Sequence, residues 1–446
     1  MALAHHAYTT LIASSFSVIV TGLDNGLGLT PPMGWISWER YRCETDCDNH
    51  PDSCINEDLY KRMADALVDQ GYKDVGYEYV NVDDCWAQKE RDAAGRMVPD
   101  PERFPNGIKG LADYVHSKGL KFGLYTDIGT MTCALYPGSK DHHDIDAQTY
   151  ADWGVDSIKV DGCFADYVNF GVDYPDFGRA LNQTGRPILY ECSWPFFTPG
   201  HLLDGDKIVT DVAPNCNYWR MCDDNKDTWD SLQNTVDIFA RPAGADDPMV
   251  RASGPGHFND ADMILIGMSN NSIPRYQAQM ALWSIFASPL LMSNNLYNMP
   301  PGTKEILQNK EIIAVNQDPL GKMGYPIYTN TSNVRVWIKE LSPEGGKARW
   351  ATVLQNFRNE SATLKVDATK IPGWNSRTRF TVRDLFAHKD LGQSNTSSVD
   401  SSVAPQSVRM FLLTEQGEGE ASGAPRIATT ALSIYLIISL CYAPHP

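Results

Sequence analysis

From about residue 30 to about residue 320, short apolar segments alternate with longer stretches whose apolar positions recur at helical spacing. The short segments, 34–38, 77–83, 121–127, 157–161, 188–192, 217–220, 263–266 and 290–293, read as strands. Between them 57–70, 108–118, 147–153 and 228–239 read as amphipathic helices. Eight strand-then-helix units predict an α/β fold, a (β/α)8 TIM barrel spanning 23–323. A doubly wound open sheet is the alternative, but no GxGxxG follows the first strand. After about Gly324 the period shortens. VRVWIKE, ARWATVLQNF, ATLKVD, RFTVRDLF and VRMFLLTE are short and alternating, and predict a C-terminal antiparallel β-sandwich over 324–415.

The ends of the chain carry different signals. Residues 11–20, LIASSFSVIV, form an apolar run followed by small residues, which reads as a secretory signal peptide over 1–22. Its leading segment has histidines and no Lys or Arg, and a buried strand is the other reading. Five Asn-x-Ser/Thr sites, at Asn182, Asn270, Asn330, Asn359 and Asn395, agree with export and glycosylation. From 427 to 443 there are 17 residues without a charge, preceded by the small, polar GEGEASGAPR. The 416–446 stretch therefore reads as a polar linker and a GPI-anchor signal, with Ala421 or Ser422 as the attachment residue. A short membrane span and an unprocessed tail are the alternatives.

Composition narrows the class. Of the 446 residues 42% are hydrophobic and 21% charged, so a large core can be buried. The net charge of −17 argues against nucleic acid as a partner and fits acidic surroundings. Eight of the ten cysteines lie between Cys43 and Cys216, and export makes disulfides their default state. No CxxC or HExxH motif suggests zinc. Cys222 and Cys441 are left over, and spacing alone does not fix the pairing.

The chemistry sits at the strand ends. Asp83 and Asp84 close one strand, Asp127 the next and Asp161 the one after, while Asp224 follows a fourth. Asp260 and Asp262 precede the segment read as the seventh strand. A lone Asp after a strand is ordinarily a turn or helix-cap residue. A set of them on successive strands of a barrel converges on one mouth, where active sites sit. Lys159 and Arg220 add positive charge there, and Lys159 shares a strand face with Asp161. Two carboxyl groups facing each other, one ionised and one proton-bearing, are what glycosidic cleavage needs. Mg or Ca binding is the competing reading. Trp35, Trp86 and Trp194 at strand ends favour a sugar pocket instead.

Those residues lie in long motifs. NVDDCW, RFPNGIKGLADYVHSKGLK, DAQTYADWGVDSIKVDGC, ALNQTGRPI and AQMALWSIFASPLLMS resemble the family of lysosomal α-galactosidase and α-N-acetylgalactosaminidase, retaining clan D glycosidases. The resemblance runs from 23 to 321 and more weakly through the sandwich. It implies Asp161 as nucleophile and Asp224 as acid/base. It implies Asp83 and Asp84 on the 4- and 6-hydroxyls of a galacto-configured sugar, and Lys159 on hydroxyls 3 and 4. Trp35 would stack on the sugar, Tyr125, Cys163 and Asp262 would complete the pocket, and Arg220 would lie near the 2-substituent. It also implies disulfides Cys43–Cys85, Cys47–Cys54, Cys133–Cys163 and Cys192–Cys216, a homodimer, no metal and no cofactor.

The family separates its two sugars in the loop that is here Cys192-Ser193-Trp194-Pro195-Phe196-Phe197. Ser193 matches the members acting on N-acetylgalactosamine, where Ser and Ala leave room for the acetamido group. Phe196 matches neither that pattern nor the Leu of the galactose enzymes, and would crowd the acetamido methyl unless its ring turns outward. The sequence thus predicts an exo-glycosidase for terminal α-linked N-acetylgalactosamine on glycoconjugates, with α-galactosidase as the alternative. An inactive carbohydrate-binding protein at the cell surface is a further reading, although every implied catalytic residue is present. Ala261 stands where the family has Pro, Phe197 where it has Tyr, and Cys222 where an aromatic is usual. The implied location is the secretory pathway, ending at the cell surface or in the lysosome.

Overall fold

The computed structural model describes residues 22–199, 205–269, 271–330 and 333–418. The segment read as a signal peptide, except Gly22, lies outside the described residues. So do Asn270 and everything from 419 onward, including Ala421, Ser422 and Cys441. Among the described residues, no helix is long and apolar enough to cross a membrane.

Eight parallel strands form the first sheet: β1 (Met33–Ile36), β2 (Tyr79–Asn81), β3 (Lys121–Asp127), β4 (Ser157–Asp161), β5 (Leu189–Cys192), β6 (Tyr218–Arg220), β7 (Phe258–Asp260) and β8 (Leu290–Met292). Their order is β7-β6-β5-β4-β3-β2-β1-β8, each strand beside its sequence neighbour with β8 returning to β1. The seventh strand is a correction. The expected segment 263–266 is not a strand, and β7 lies five residues earlier, paired with β6. The chain then kinks through Ala261 and Asp262, with Asp262 at φ 67°. Beyond the kink only Ile264 meets β8, through a bridge to Met292. Its backbone N donates to Leu291 O at 2.8 Å, and Ser293 N donates to Ile264 O at 3.0 Å. One apolar run thus serves two neighbours, and the kink between them turns Asp262 inward.

Helices follow the strands. Ser37 leads into the short α1 (Trp38–Tyr41), and α2 is Glu57–Asp69. The side chain of Asn56 caps α2 by accepting from Leu59 N at 2.9 Å. Leu59, Tyr60, Met63, Ala66 and Leu67, at helical spacing, are its buried face. The next helices are α3 (Gly107–Ser117), α4 (His143–Trp153) and α5 (Phe170–Gln183). α6 (Trp194–Phe197) is a single turn directly after β5. At the other end of the barrel Tyr79, Leu189, Tyr218 and Phe258, the first residues of four strands, form an apolar plug. The barrel interior is therefore closed at this end, and the carboxylates stand at the other.

The C-terminal part is antiparallel. A six-stranded sheet packs with a two-stranded one, over residues 325–418. The strand Thr378–Asp384 alternates strictly between buried and half-buried positions, as its sequence pattern requires. The sandwich meets the barrel through edge-to-face aromatics, Phe286 against Trp337 at 5.2 Å and Trp229 against Phe357 at 4.4 Å. Lys339 is buried at this junction and donates to Val315 O at 2.7 Å and Ser284 O at 3.0 Å.

Candidate active site

Strand register assembles the mouth. Parallel pairing of β3 and β4 sets Tyr125 beside Lys159 and Asp127 beside Asp161. Pairing of β4 with β5 sets Lys159 beside Glu191, and pairing of β6 with β7 sets Arg220 beside Asp260. Alternation then points Lys159 and Asp161 to one face. A cavity of about 210 Å³ opens there. Asp83, Asp84, Tyr125, Lys159, Asp161 and Cys163 line one part of it, and Phe196, Phe197, Arg220 and Asp224 another.

Asp161 accepts from the Tyr125 hydroxyl at 2.9 Å and from the Ser193 hydroxyl at 2.5 Å. The disulfide Cys133–Cys163 edges the pocket next to it, with Cys133 Sγ 3.8 Å from Asp161 Oδ2. Lys159 Nζ donates to Asp83 Oδ2 at 2.8 Å, with both groups buried. Burial opposes the ammonium charge, but Asp83 and Asp161 outweigh it and raise the Lys159 pKa. Burial also lifts Asp83, against the pull of Lys159. Asp84 is pushed up to about 6 by burial, despite accepting from Ala134 N at 3.0 Å and Cys85 N at 2.6 Å.

Asp224 has different partners. Its Oδ2 accepts from the Trp38 indole at 2.6 Å and from Arg42 at 3.4 Å, and its Oδ1 from Arg220 at 3.0 Å. Burial would raise its pKa, but Arg220, Lys159 and Trp38 outweigh that and hold it at about 2. Arg220 is itself buried and also pairs with Asp262 at 3.2 Å. Asp262 in turn accepts from Asn225 N at 2.7 Å.

The structure places most of the expected residues on or directly behind this pocket. Ser193 and Asp262 form the second layer, each bonded to a residue that lines it. Trp35 is a correction. It is fully buried in the core, its indole donates to Asn294 O at 2.8 Å, and it does not reach the pocket. β1 is buried along its whole length, so the first aromatic to emerge at the mouth is Trp38, at the start of α1. Trp86 and Trp194 are core residues as well, the first bonded to Tyr125 O and the second stacked on Tyr174. The pocket's aromatic walls are Trp38, Tyr125, Phe196 and Phe197. Asp127 serves the backbone, accepting from Gly129 N and Cys163 N at 2.7 and 2.9 Å.

Sequence reading missed Trp38, Glu39, Arg42, Glu191 and Asp223. Glu191 was within reach, because it shares the inward face of its strand with the register partner Lys159. It is buried and pushed up to about 8, chiefly by burial and then by Asp260. The four disulfides are the implied pairs Cys43–Cys85, Cys47–Cys54, Cys133–Cys163 and Cys192–Cys216, and Cys222 is a buried free thiol. Asn182, Asn359 and Asn395 are exposed and Asn330 is half-buried. Among the described residues two groupings resemble metal sites, Asp127 with Cys133 and Cys163, and Glu39 with Asp224 and Asp262. The first has its sulfurs tied in a disulfide, and the second already has Arg42 and Arg220 as counter-charges. A larger cleft, about 570 Å³, lies beside the start of β5 between residues 23–27 and α5, and it holds none of the mouth carboxylates.

A carboxyl held by two neutral hydroxyls shares one small cavity with a carboxyl held by cations, with a buried Lys–Asp pair between barrel and sugar-sized space. This constellation at the mouth of a barrel is that of a glycoside hydrolase. Residues 30–318 match the alpha-galactosidase A family and residues 331–413 match the alpha-galactosidase C-terminal β-sandwich domain. The chain belongs to this family. It is 43% identical to alpha-N-acetylgalactosaminidase of Gallus gallus over 408 residues, covering 90% of this chain and 98% of that protein. It is 47% identical to alpha-galactosidase A of Homo sapiens over 335 residues, 75% of this chain and 76% of that one. The crystal structure of alpha-galactosidase I from Mortierella vinacea superposes with a TM-score of 0.74 at 30% identity, covering 87% of this chain and 98% of that one.

Proposed function

We propose that this protein is a retaining exo-glycosidase that removes terminal α-linked N-acetylgalactosamine from glycoconjugates. The observation that carries the reading is that Asp161 and Asp224 line one small cavity together with the Asp83, Asp84 and Lys159 group. In the first step Asp161 would attack C1 while Asp224 gives a proton to the departing oxygen. In the second, Asp224 as a base would take a proton from water, whose oxygen replaces Asp161 at C1 with the α configuration retained. Asp83, Asp84 and Lys159 offer acceptors and a donor for the hydroxyls of a galacto-configured sugar.

Ser193 supports the N-acetyl sugar. Its side chain is bonded to Asp161, so with Asp161 at C1 it would lie near C2, and a serine there is small. Coverage of nearly all of the avian alpha-N-acetylgalactosaminidase agrees with it. Phe196 favours a second reading, α-galactosidase. Its ring stands in the pocket wall with the Arg220 guanidinium 5.7 Å from its centroid, and by the family resemblance it would crowd a 2-acetamido group. Side-by-side hydrolysis of p-nitrophenyl α-N-acetylgalactosaminide and p-nitrophenyl α-galactoside, from acid to neutral pH, decides between them. A higher kcat/KM on the first supports the proposal, and a higher value on the second replaces it. Turnover of neither would support the carbohydrate-binding reading.

Export supplies the setting. Four disulfides and exposed sequon asparagines suit the secretory pathway. Anchoring through the 416–446 segment would leave the enzyme on the cell surface, and phosphatidylinositol-specific phospholipase C should then release it from intact cells. Persistence on the membrane would favour a spanning tail. Light scattering of the purified protein tests the homodimer.

A further inference from the structure

Glu39 was not among the expected site residues, yet it stands behind the pocket in an unusual state. It follows Trp38, whose indole holds Asp224, and its backbone N donates to Ser293 Oγ at 2.9 Å. Its side chain is 1% exposed. Oε2 pairs with Arg42, while Oε1 is buried without a hydrogen-bond partner. One carboxyl oxygen each of Glu39, Asp224 and Asp262 lie within 4.8 Å of one another.

The charges facing Glu39 are Arg42 just after its own helix, Asp224 and Arg220 from the β6 side, and Asp262 from the kink after β7. Arg220 gives its hydrogen bonds to Asp224 and the Cys222 carbonyl, and forms an ion pair with Asp262. Both oxygens of Asp224 accept hydrogen bonds, Asp262 accepts one on Oδ2 and has Arg220 against Oδ1, and Glu39 Oε1 has no such partner. Three carboxyls this close cannot all stay ionised at low cost, and the proton belongs on the oxygen that lacks a donor. Burial first, and Asp262 next, push Glu39 up to about 8, while Asp224 is held at about 2. Neighbouring groups pushed apart in this way divide acid and base roles between them.

We infer that Glu39 is a positioning residue that holds the catalytic proton for Asp224, receiving it between turnovers and returning it before the glycosidic bond breaks. This rests on Asp224 as the acid/base. The Glu39 O–H bond breaks as an Asp224 O–H bond forms, once their oxygens, within 4.8 Å of each other here, close to hydrogen-bond reach or through one bridging water that takes the Glu39 proton and gives one of its own to Asp224. That proton moves to the leaving oxygen as its bond to C1 breaks and the Asp161–C1 bond forms. In the second step a water O–H bond breaks, the proton passes through Asp224 back to Glu39, and the water oxygen replaces Asp161 at C1. No proton is gained or lost over the cycle.

The test is Glu39→Gln, which keeps shape and an acceptor for Arg42 but has no proton to lend. Two α-glycosides are compared, one with an alkyl leaving group that needs protonation and one with 2,4-dinitrophenolate, which hardly does. The alkaline limb of kcat/KM for the alkyl glycoside is expected to move down by about one pH unit or more, and its rate near neutral pH to fall about tenfold. The dinitrophenyl rate is expected to stay within about threefold. An unmoved limb, or an equal fall on both substrates, overturns the inference. Should Glu39→Gln fail to fold, Glu39→Asp restores a titratable carboxyl. Its limb should then lie within about half a pH unit of wild type, with a larger displacement counting against the proposal. Asp224→Asn separates the two layers. If it abolishes the limb while Glu39→Gln leaves it in place, only the Glu39 role fails. If it leaves the limb and the alkyl-glycoside rate intact, the acid/base assignment fails first.

Discussion

On the β3–β4 wall, Asp161 ends a strand in unbroken register with its neighbour, receives two neutral hydroxyls, and is braced by the Cys133–Cys163 disulfide. On the β6–β7 wall, Asp224 follows a three-residue strand whose neighbour kinks after Asp260. Its donors are two guanidiniums and an indole, and Glu39, Asp260 and Asp262 crowd behind it. The two carboxyls have the same chemistry, and on the proposed reading their surroundings give them different work. Fixed neutral donors would aim the oxygen of Asp161 at one point, and the dense set of charges around Asp224 would store and move a proton.

The largest break in this contrast comes from removing the fixed carboxylate. Asp161→Asn is expected to lower kcat on the order of 10⁴-fold or more, with an unchanged circular dichroism spectrum. Retained turnover would show that Asp161 is not the nucleophile. Next is Asp224→Asn, expected to cost about 10²–10⁴-fold on poor leaving groups and far less on dinitrophenyl glycosides. An equal loss on both would deny it the proton-transfer role.

Phe196→Ala sharpens the comparison where the walls meet. Emptying that space should raise the ratio of N-acetylgalactosaminide to galactoside kcat/KM by about tenfold, the size expected for a pocket contact worth 1–3 kcal/mol. No change in the ratio would mean the ring does not set sugar choice. Replacing both Cys133 and Cys163 with Ala opens a loop of sequence separation 30 beside Asp161. The expected cost is about 3–4 kcal/mol, read as a lower Tm, and an unaltered Tm would deny the brace its role.

The smallest effect is a pH trend. Asp84 is raised to about 6, Asp260 to about 7, and Glu191 and Glu39 to about 8, each chiefly by burial. For a raised carboxyl the unfolded chain loses its proton first. Its stability contribution is therefore complete below pH about 4 and is lost as pH climbs through the folded values, roughly 6 to 8. Tm should fall by a few degrees between pH 5 and pH 8, on the order of 5 °C. A Tm that rises over that interval would contradict these protonation states.

The same two walls explain what was legible in the sequence. The residue ranges of β3 and β4 were predicted to the residue, because long apolar runs end cleanly on Asp127 and Asp161. β7 was misplaced, because Met263–Leu265 is more apolar than Phe258–Asp260 and the kink gives each half a different partner. The pocket residues carried by motif ends were found. Trp35 was preferred to Trp38 because the ordering of a strand end and a one-turn helix does not show which indole turns to the mouth. Glu39 and Arg42 escaped notice for a related reason. They lie in and just after a short helix with no strand-end signature, and only the fold brings them to Asp224.

The most direct measurement is covalent trapping with a 5-fluoro glycosyl fluoride of the preferred sugar, followed by peptide mass mapping. The account predicts one adduct, on the carboxylate of Asp161, formed in wild type and absent in Asp161→Asn. An adduct on any other carboxylate, or steady turnover of the reagent with none formed, would contradict the assignment of the fixed wall as nucleophile and the charged wall as proton carrier.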